Sequence, residues 1–308
     1  MPFVNSSLDS PTGAKINLYS MMPTGRVKAV VQINHGMAEH AARYVRFAVA
    51  LTAAGFAVFA HDHRGHGATK APDAPLGVFG AKNGFDLVIE DVLAVNSFIK
   101  DRDPETPVIC FGHSMGSIIA LNFAMQYPHK VAGLACWNAG VETGALAAAS
   151  KFILGSEKLF RGRNSASKIA GKLTFAAWNN EFKPNRTDFD WLSRDSAEVD
   201  KYEADPLCGF PVSIGLWLDL LHGVYFGAED RNLKALARAL PVNILGGGND
   251  PCSNRADDME HLATRMRNAG MTDVSDVKLA DTRHESLNEV NRDQTTANFI
   301  TWLEKRFA

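Results

Sequence analysis

The 308-residue chain is short of cysteine, of surplus charge and of long apolar runs, and each shortage closes a class of function. Its four cysteines, Cys110, Cys136, Cys208 and Cys252, are scattered, with no C-x-x-C pair. That spacing offers neither a zinc knuckle nor the disulfide framework of a small secreted domain. Cys110 and Cys136 sit in apolar, strand-like runs and read as small buried hydrophobes. Formal net charge is -2, from 32 Lys and Arg against 34 Asp and Glu. A nucleic-acid binder usually carries a strong basic excess, so no nucleic-acid partner is expected. The longest uncharged apolar stretch, 47–60, is too short to span a bilayer and is divided by Gly55. The N-terminal segment has no basic region followed by an apolar one, so the cytoplasm is the expected compartment. There is no internal repeat and no low-complexity tract.

What is present is apolar residues, 46% of the chain, enough to bury a substantial core. They alternate between strand-like and helix-like runs. Val27 to Asn34 is β-branched and ends at His35-Gly36. Tyr44, Phe47, Ala48 and Leu51 then recur as one helix face. Phe56 to His61 reads as a strand, Phe85 to Ile99 as a helix and Pro107 to Phe111 as a strand. Ile118, Leu121 and Met125 mark the next helix, and Val131 to Trp137 the next strand. Fully apolar strands in this order imply a parallel sheet covered on both faces. After about Gly140 the rhythm breaks, and to about Tyr225 the chain is irregularly helical. It resumes with a helix over Asn232 to Leu240, a strand at Val242 to Leu245, a helix at Arg255 to Asn268, a strand at Val274 to Leu279 and a terminal helix. The expected organisation is one α/β core, 1–140 and 226–308, with a helical cap or lid inserted over 141–225.

Gly112-His113-Ser114-Met115-Gly116 matches G-x-S-x-G between an apolar strand and a helix. A strand turning sharply into a helix strains the serine backbone and lifts its hydroxyl above the sheet edge. The flanking glycines let neighbouring backbone approach. The Met115 N–H, at the helix N-terminus, then faces a developing oxyanion. The loop His35-Gly36-Met37-Ala38-Glu39-His40 follows an early strand and can supply a second donor, the Met37 N–H. Glu39 and His40 are expected to hold that loop in place.

This arrangement resembles that of α/β-hydrolases, where the order is Ser, then Asp or Glu, then His. Four histidines follow Ser114: His129, His222, His261 and His284. His284 lies between the last strand and the last helix, at the catalytic edge, and is chosen as the base. Asp250, in Gly246-Gly247-Gly248-Asn249-Asp250-Pro251, follows the preceding strand and is preferred over Asp281 as its orienter. His61-Asp62-His63-Arg64-Gly65-His66-Gly67 contains H-x-H-x-x-H, but Gly65 stands where metallo-hydrolases place an aspartate. It is read as a polar strand-end loop in which Asp62 and Arg64 pair, and no metal is expected.

Together these segments resemble the monoacylglycerol lipase and lysophospholipase branch of the α/β-hydrolases, grouped with serine aminopeptidase-like sequences. The resemblance runs from about Gly13 to Ala308 and includes Asp205-Pro206-Leu207-Cys208-Gly209-Phe210, like a segment of bacterial members. It implies Ser114, Asp250 and His284 as the triad, Met37 and Met115 as the oxyanion hole, and a glycerol or glycerophospho ester of one fatty acid as substrate. Such acyl transfer needs no cofactor. Rival expectations are amide or peptide hydrolysis, short-chain carboxylesterase activity, perhydrolysis, and a binding scaffold without catalysis.

The insertion carries Phe152, Ile153, Leu154, Leu159 and Phe160 among six basic residues, Lys151, Lys158, Arg161, Arg163, Lys168 and Lys172. A solvated cap with its apolar underside packed on the core is the favoured reading. A basic, amphipathic lid resting on an anionic membrane is the alternative.

Overall fold

Eight strands make one sheet in the computed structural model, which describes residues 3–141 and 143–308. They are β1 (Val4–Asp9), β2 (Lys15–Met21), β3 (Val30–Asn34), β4 (Ala57–His61), β5 (Val108–His113), β6 (Gly133–Trp137), β7 (Val242–Gly247) and β8 (Val274–Leu279). Their order is β1-β2-β4-β3-β5-β6-β7-β8. From β4 to β8 all neighbours are parallel, while β1 and β2 run antiparallel to each other and β2 antiparallel to β4. The mostly parallel α/β-hydrolase sheet is thus as expected, with an N-terminal hairpin that the sequence pattern did not reveal.

The helices are α1 (Val45–Ala53), α2 (Gly84–Arg102), α3 (Met115–Gln126), α4 (Ala145–Arg161), α5 (Lys168–Gly171), α6 (Ala177–Asn180), α7 (Ser196–Ala204), α8 (Ile214–Ala228), α9 (Asp230–Leu233), α10 (Asp257–Asn268) and α11 (Arg292–Phe307). Successive strand residues serve opposite faces. Cys110, Leu134 and Cys136 meet α2, α3, α8 and α10, while Ile109, Phe111, Ala135 and Trp137 meet α1 and α11. That double coverage is why the central strands read as unbroken apolar runs. Phe111 and Trp137 lie 5.0 Å apart, Phe47 and Phe111 5.2 Å, and Trp137 and Phe299 5.3 Å, centre to centre. Such pairs each add about 0.5–1.5 kcal/mol beyond burial.

Parallel strands all point the same way, so the loops after β3, β5, β6, β7 and β8 share one edge. Helices α4 to α8 lie between β6 and β7 in the chain. Of the apolar residues singled out on α4, Leu154 is buried, but Phe152, Leu159 and Phe160 are 77%, 85% and 88% exposed. The underside packing expected of this helix therefore rests on a minority of them.

Two local expectations need correction. The helix expected over Asn232 to Leu240 is only α9 and then turns, ended by Pro241. Arg64 does not pair with Asp62. Its Nε donates to Asp91 Oδ2 on α2 at 2.8 Å and its Nη1 to the Phe79 carbonyl. Asp62 instead accepts from the Ala41 and Ala68 N–H groups. The long guanidinium reaches a buried partner across space, while the Asp62 carboxylate is already taken by these N–H groups and by Asn17 Nδ2.

Candidate active site

Ser114 stands between β5 and α3 with φ 55° and ψ -122°. A non-glycine residue there costs about 1–3 kcal/mol. The completely buried Ile119, Leu121 and Phe123 of α3 offset it, at about 1.5–3 kcal/mol per large side chain. The flanking glycines are sterically required. A Cβ on Gly112 would come within 2.1 Å of the Gly116 carbonyl oxygen, and one on Gly116 within 2.0 Å of the Asn34 oxygen. Ser117 ties the elbow to β6, accepting from the Trp137 N–H at 2.7 Å.

The three segments chosen from sequence meet. Ser114 Oγ lies 2.9 Å from His284 Nε2, and His284 Nδ1 lies 2.9 Å from Asp250 Oδ1. With Nδ1–H donating to Asp250, Nε2 is free to accept the serine proton. The base candidates His129, His222 and His261 and the rival Asp281 are exposed and outside this line. Asp250 is completely buried and also accepts from Ser253 Oγ at 2.7 Å, the Cys252 N–H at 2.9 Å and Asn138 Nδ2 at 3.3 Å. Burial alone would raise its carboxyl, but His284 and these hydrogen bonds outweigh it and hold it below the usual range. Asn138, itself at φ 53°, is oriented by Ser286 Oγ at 2.7 Å.

Sequence reading missed Asn138, Ser253 and Ser286, and also the two rings against His284. Trp191 lies 4.7 Å from it and His113 4.9 Å. His113 donates from Nε2 to the His284 carbonyl at 3.0 Å, and its Nδ1 lies 3.6 Å from Glu39. Burial pushes the His113 imidazole down, but Glu39 more than reverses it and the net shift is upward. His113 occupies a variable position of G-x-S-x-G, which the motif gives no reason to single out.

The Met37 and Met115 N–H groups make no hydrogen bond to another protein group among the described residues. Glu39 holds the first of these loops, as expected: it accepts from the Gly36 N–H at 2.6 Å, Tyr44 Oη at 2.8 Å and Arg43 Nη1 at 2.5 Å. Arg43 also donates to both oxygens of Glu285, at 2.6 and 2.7 Å. Burial works to raise the Glu39 carboxyl, but Arg43, then His113, hold it well below its ordinary value.

Two chambers meet at Ser114. One is lined by Met115, Ile118, Trp178, Trp217, Leu220, Leu221 and Val224, with Cys252 beside the serine. The other carries Glu39, His113, Tyr202, His284 and Glu285 among its walls, together with Phe175, Phe189, Trp191 and Leu192.

The H-x-H-x-x-H imidazoles are buried but do not converge. His61 and His63 lie 4.7 Å apart and His63 and His35 4.5 Å, ring to ring. His61 and His63 have no hydrogen-bond partner on either ring nitrogen. Among the described residues, the potential metal ligands that do gather within 4.8 Å are His40, Asp205 and Cys208. There His40 Nε2 donates to Asp205 Oδ2 at 2.9 Å, which already accounts for that pair.

Residues 25–291 match the family described as serine aminopeptidase, S33. The chain is 33% identical over 235 residues to monoglyceride lipase of Rattus norvegicus, covering 74% of this chain and 67% of that one. It is 28% identical over 298 residues to the Mus musculus monoglyceride lipase, covering 93% and 86%. A crystal structure of a thermostable carboxyl esterase from Bacillus coagulans superposes with a TM-score of 0.89 at 23% identity, over 100% of both chains, and shares the fold. With the elbow, the strand order and this match agreeing, the chain belongs to the serine aminopeptidase S33 family of α/β-hydrolases.

Proposed function

We propose that the chain hydrolyses monoacylglycerols and similar single-chain esters, with Ser114 as nucleophile, His284 as base and then acid, and Asp250 as its orienter. That it is a carboxylic ester hydrolase follows from its family and its monoglyceride lipase relatives. The observation that carries the finer reading is the position of Ser114 between an almost wholly apolar chamber and one that mixes aromatic walls with Glu39, Tyr202 and Glu285. The apolar walls of the first suit a single acyl chain, and the charged groups of the second offer hydrogen-bond partners to a small polyol.

Ser114 attacks the ester carbonyl as His284 Nε2 takes its proton. The Met37 and Met115 N–H groups hold the oxyanion, each worth about 3 kcal/mol of transition-state stabilisation. Asp250 stabilises the imidazolium, which then protonates the departing alcohol. Water, deprotonated by His284, attacks the acyl-serine, releasing the fatty acid and restoring the hydroxyl.

Amide hydrolysis, which the family description suggests, fares less well here. An aminopeptidase needs an acid to bind the free amine. The two carboxylates at the second chamber, Glu39 and Glu285, are both committed to Arg43. A panel of p-nitrophenyl esters and aminoacyl anilides separates the two readings.

The segment 141–225 acts as a cap over Ser114, on a core of 1–140 and 226–308. Its exposed Phe152, Leu159 and Phe160 lie near Lys158, Lys168 and Lys172 in sequence. That combination suits an anionic membrane surface, which apolar side chains enter while lysines meet the headgroups. No helix among the described residues is long and apolar enough to cross a membrane. The proposed location is the cytoplasmic side of a membrane, peripherally bound.

The deciding experiment is Ser114→Ala. It is expected to lower kcat by roughly 10⁶, leave Tm unchanged and abolish labelling by a fluorophosphonate probe. Near-normal ester turnover by this variant would refute the assignment.

A further inference from the structure

The loop that carries Met37 is gripped from two sides. From the core, Glu39 holds the Gly36 N–H. From the insertion, the Ala38 carbonyl accepts two hydrogen bonds, one from Tyr202 Oη and one from the Gly209 N–H, both at 2.9 Å. Two residues on, His40 meets Asp205, also of the insertion.

Ala38 needs that grip. Its φ is 53° and it is 2% exposed. A non-glycine residue keeps a left-handed backbone only where its surroundings over-determine it. The Met37 N–H lies in the Gly36–Met37 peptide, one residue before the Ala38 φ bond, with only the Met37–Ala38 peptide between them. If Ala38 relaxes to negative φ, the chain direction through Met37 changes with it, and its amide swings away from Ser114.

We propose that the insertion sets the oxyanion hole: Tyr202 and the Gly209 N–H, by gripping the Ala38 carbonyl, hold the Met37 amide toward Ser114, and Tyr202 is a positioning residue of the reaction. This rests on the reading of Met37 as an oxyanion donor. Tyr202 is anchored for the task, its ring 5.0 Å from Phe189 and under the Arg43 guanidinium at 4.8 Å. Lifting the insertion from the core would therefore disarm the hole, and seating it would arm the hole.

The test is Tyr202→Phe, alone and with Ala38→Gly, assayed on p-nitrophenyl butyrate and for inhibition by an alkyl boronic acid that forms a tetrahedral anion on the serine. Loss of a whole oxyanion donor costs 10²–10³ in kcat, so loosening one is expected to lower kcat about tenfold. KM should change less than about twofold, because the donor acts chiefly in the transition state. Boronate inhibition should weaken in step with kcat. Glycine accepts positive φ without a clash, so adding Ala38→Gly should recover most of the loss. Should Tyr202→Phe fail to fold, Asp205→Asn loosens the adjoining contact, with the same split between kcat and KM expected.

Wild-type kcat in the folded variant overturns the proposal. So does a loss that follows Tm and is not recovered by Ala38→Gly. If Ser114→Ala is inactive while Tyr202→Phe is unimpaired, the site reading stands and only the coupling falls. If Ser114→Ala keeps turnover, both fall.

Discussion

The Trp191 indole covers the His284 imidazole, ring centres 4.7 Å apart and planes tilted by 35°. The Trp191 carbonyl also receives the His284 N–H at 3.4 Å. The proposed base is thus held by a residue from between β6 and β7 in the chain as well as by its own loop.

Removing that ring should misplace the base. Trp191→Ala is expected to lower kcat by about ten- to a hundredfold, since small displacements of a reacting group cost that much. Trp191→Phe should keep most of the rate. Steady-state kinetics on one ester decides, and an unimpaired Trp191→Ala would show that the indole only fills space.

The apolar chamber should read out as acyl-length preference. Each buried methylene contributes about 0.8 kcal/mol, or roughly fourfold in kcat/KM, until the space is full. Leu221→Trp, on the chamber wall, should move the optimum to shorter chains and leave acetate esters nearly unaffected. An unchanged length profile would place the acyl chain elsewhere.

Acid should unfold the protein through its buried histidines. Burial, then the charge of His35, pushes His61 and His66 down to about 3, and His63 falls well below its ordinary value. Below about pH 6.5 the unfolded chain takes up protons that the native state refuses, so stability falls as pH falls. Each such group costs up to about 1.4 kcal/mol per pH unit. The loss runs from about 6.5 toward 3. Thermal melts across pH 7 to 4 should show it, with a shallower slope in His61→Leu. An equal slope in that variant would assign the acid sensitivity to other groups.

Membrane contact is checked by flotation with anionic vesicles. Binding is expected at low salt, weakened at high salt by screening and lost in Phe152→Asp/Phe160→Asp. If the unaltered chain does not float, the insertion is a solvated cover.

Much of this site was legible because its parts announce themselves at strand ends. G-x-S-x-G, a glycine run before Asp250 and a histidine before the last helix each occupy a fixed place in chain order. The fold was legible for the same reason, as strands buried on both faces are apolar throughout. The β1–β2 hairpin was not, because β1 is exposed almost everywhere and shows no alternation. Leu233, Leu236 and Leu240 are buried at helical spacing, yet turns carry most of them inward. Asn138, Ser253, Trp191 and Tyr202 leave no trace in sequence. Their roles exist only once distant loops meet, and nothing local marks a tyrosine that will bond a carbonyl 164 positions away.

Arg43 binds Glu39, in the proposed oxyanion loop, and Glu285, beside the proposed base. Its planar fork serves both at once, as the point charge of a lysine would not. The two halves of the site therefore cannot be redesigned separately. A graft that replaces the first loop inherits an obligation at position 285, and shuffled chimeras with a crossover between them will work only when all three residues come from compatible parents.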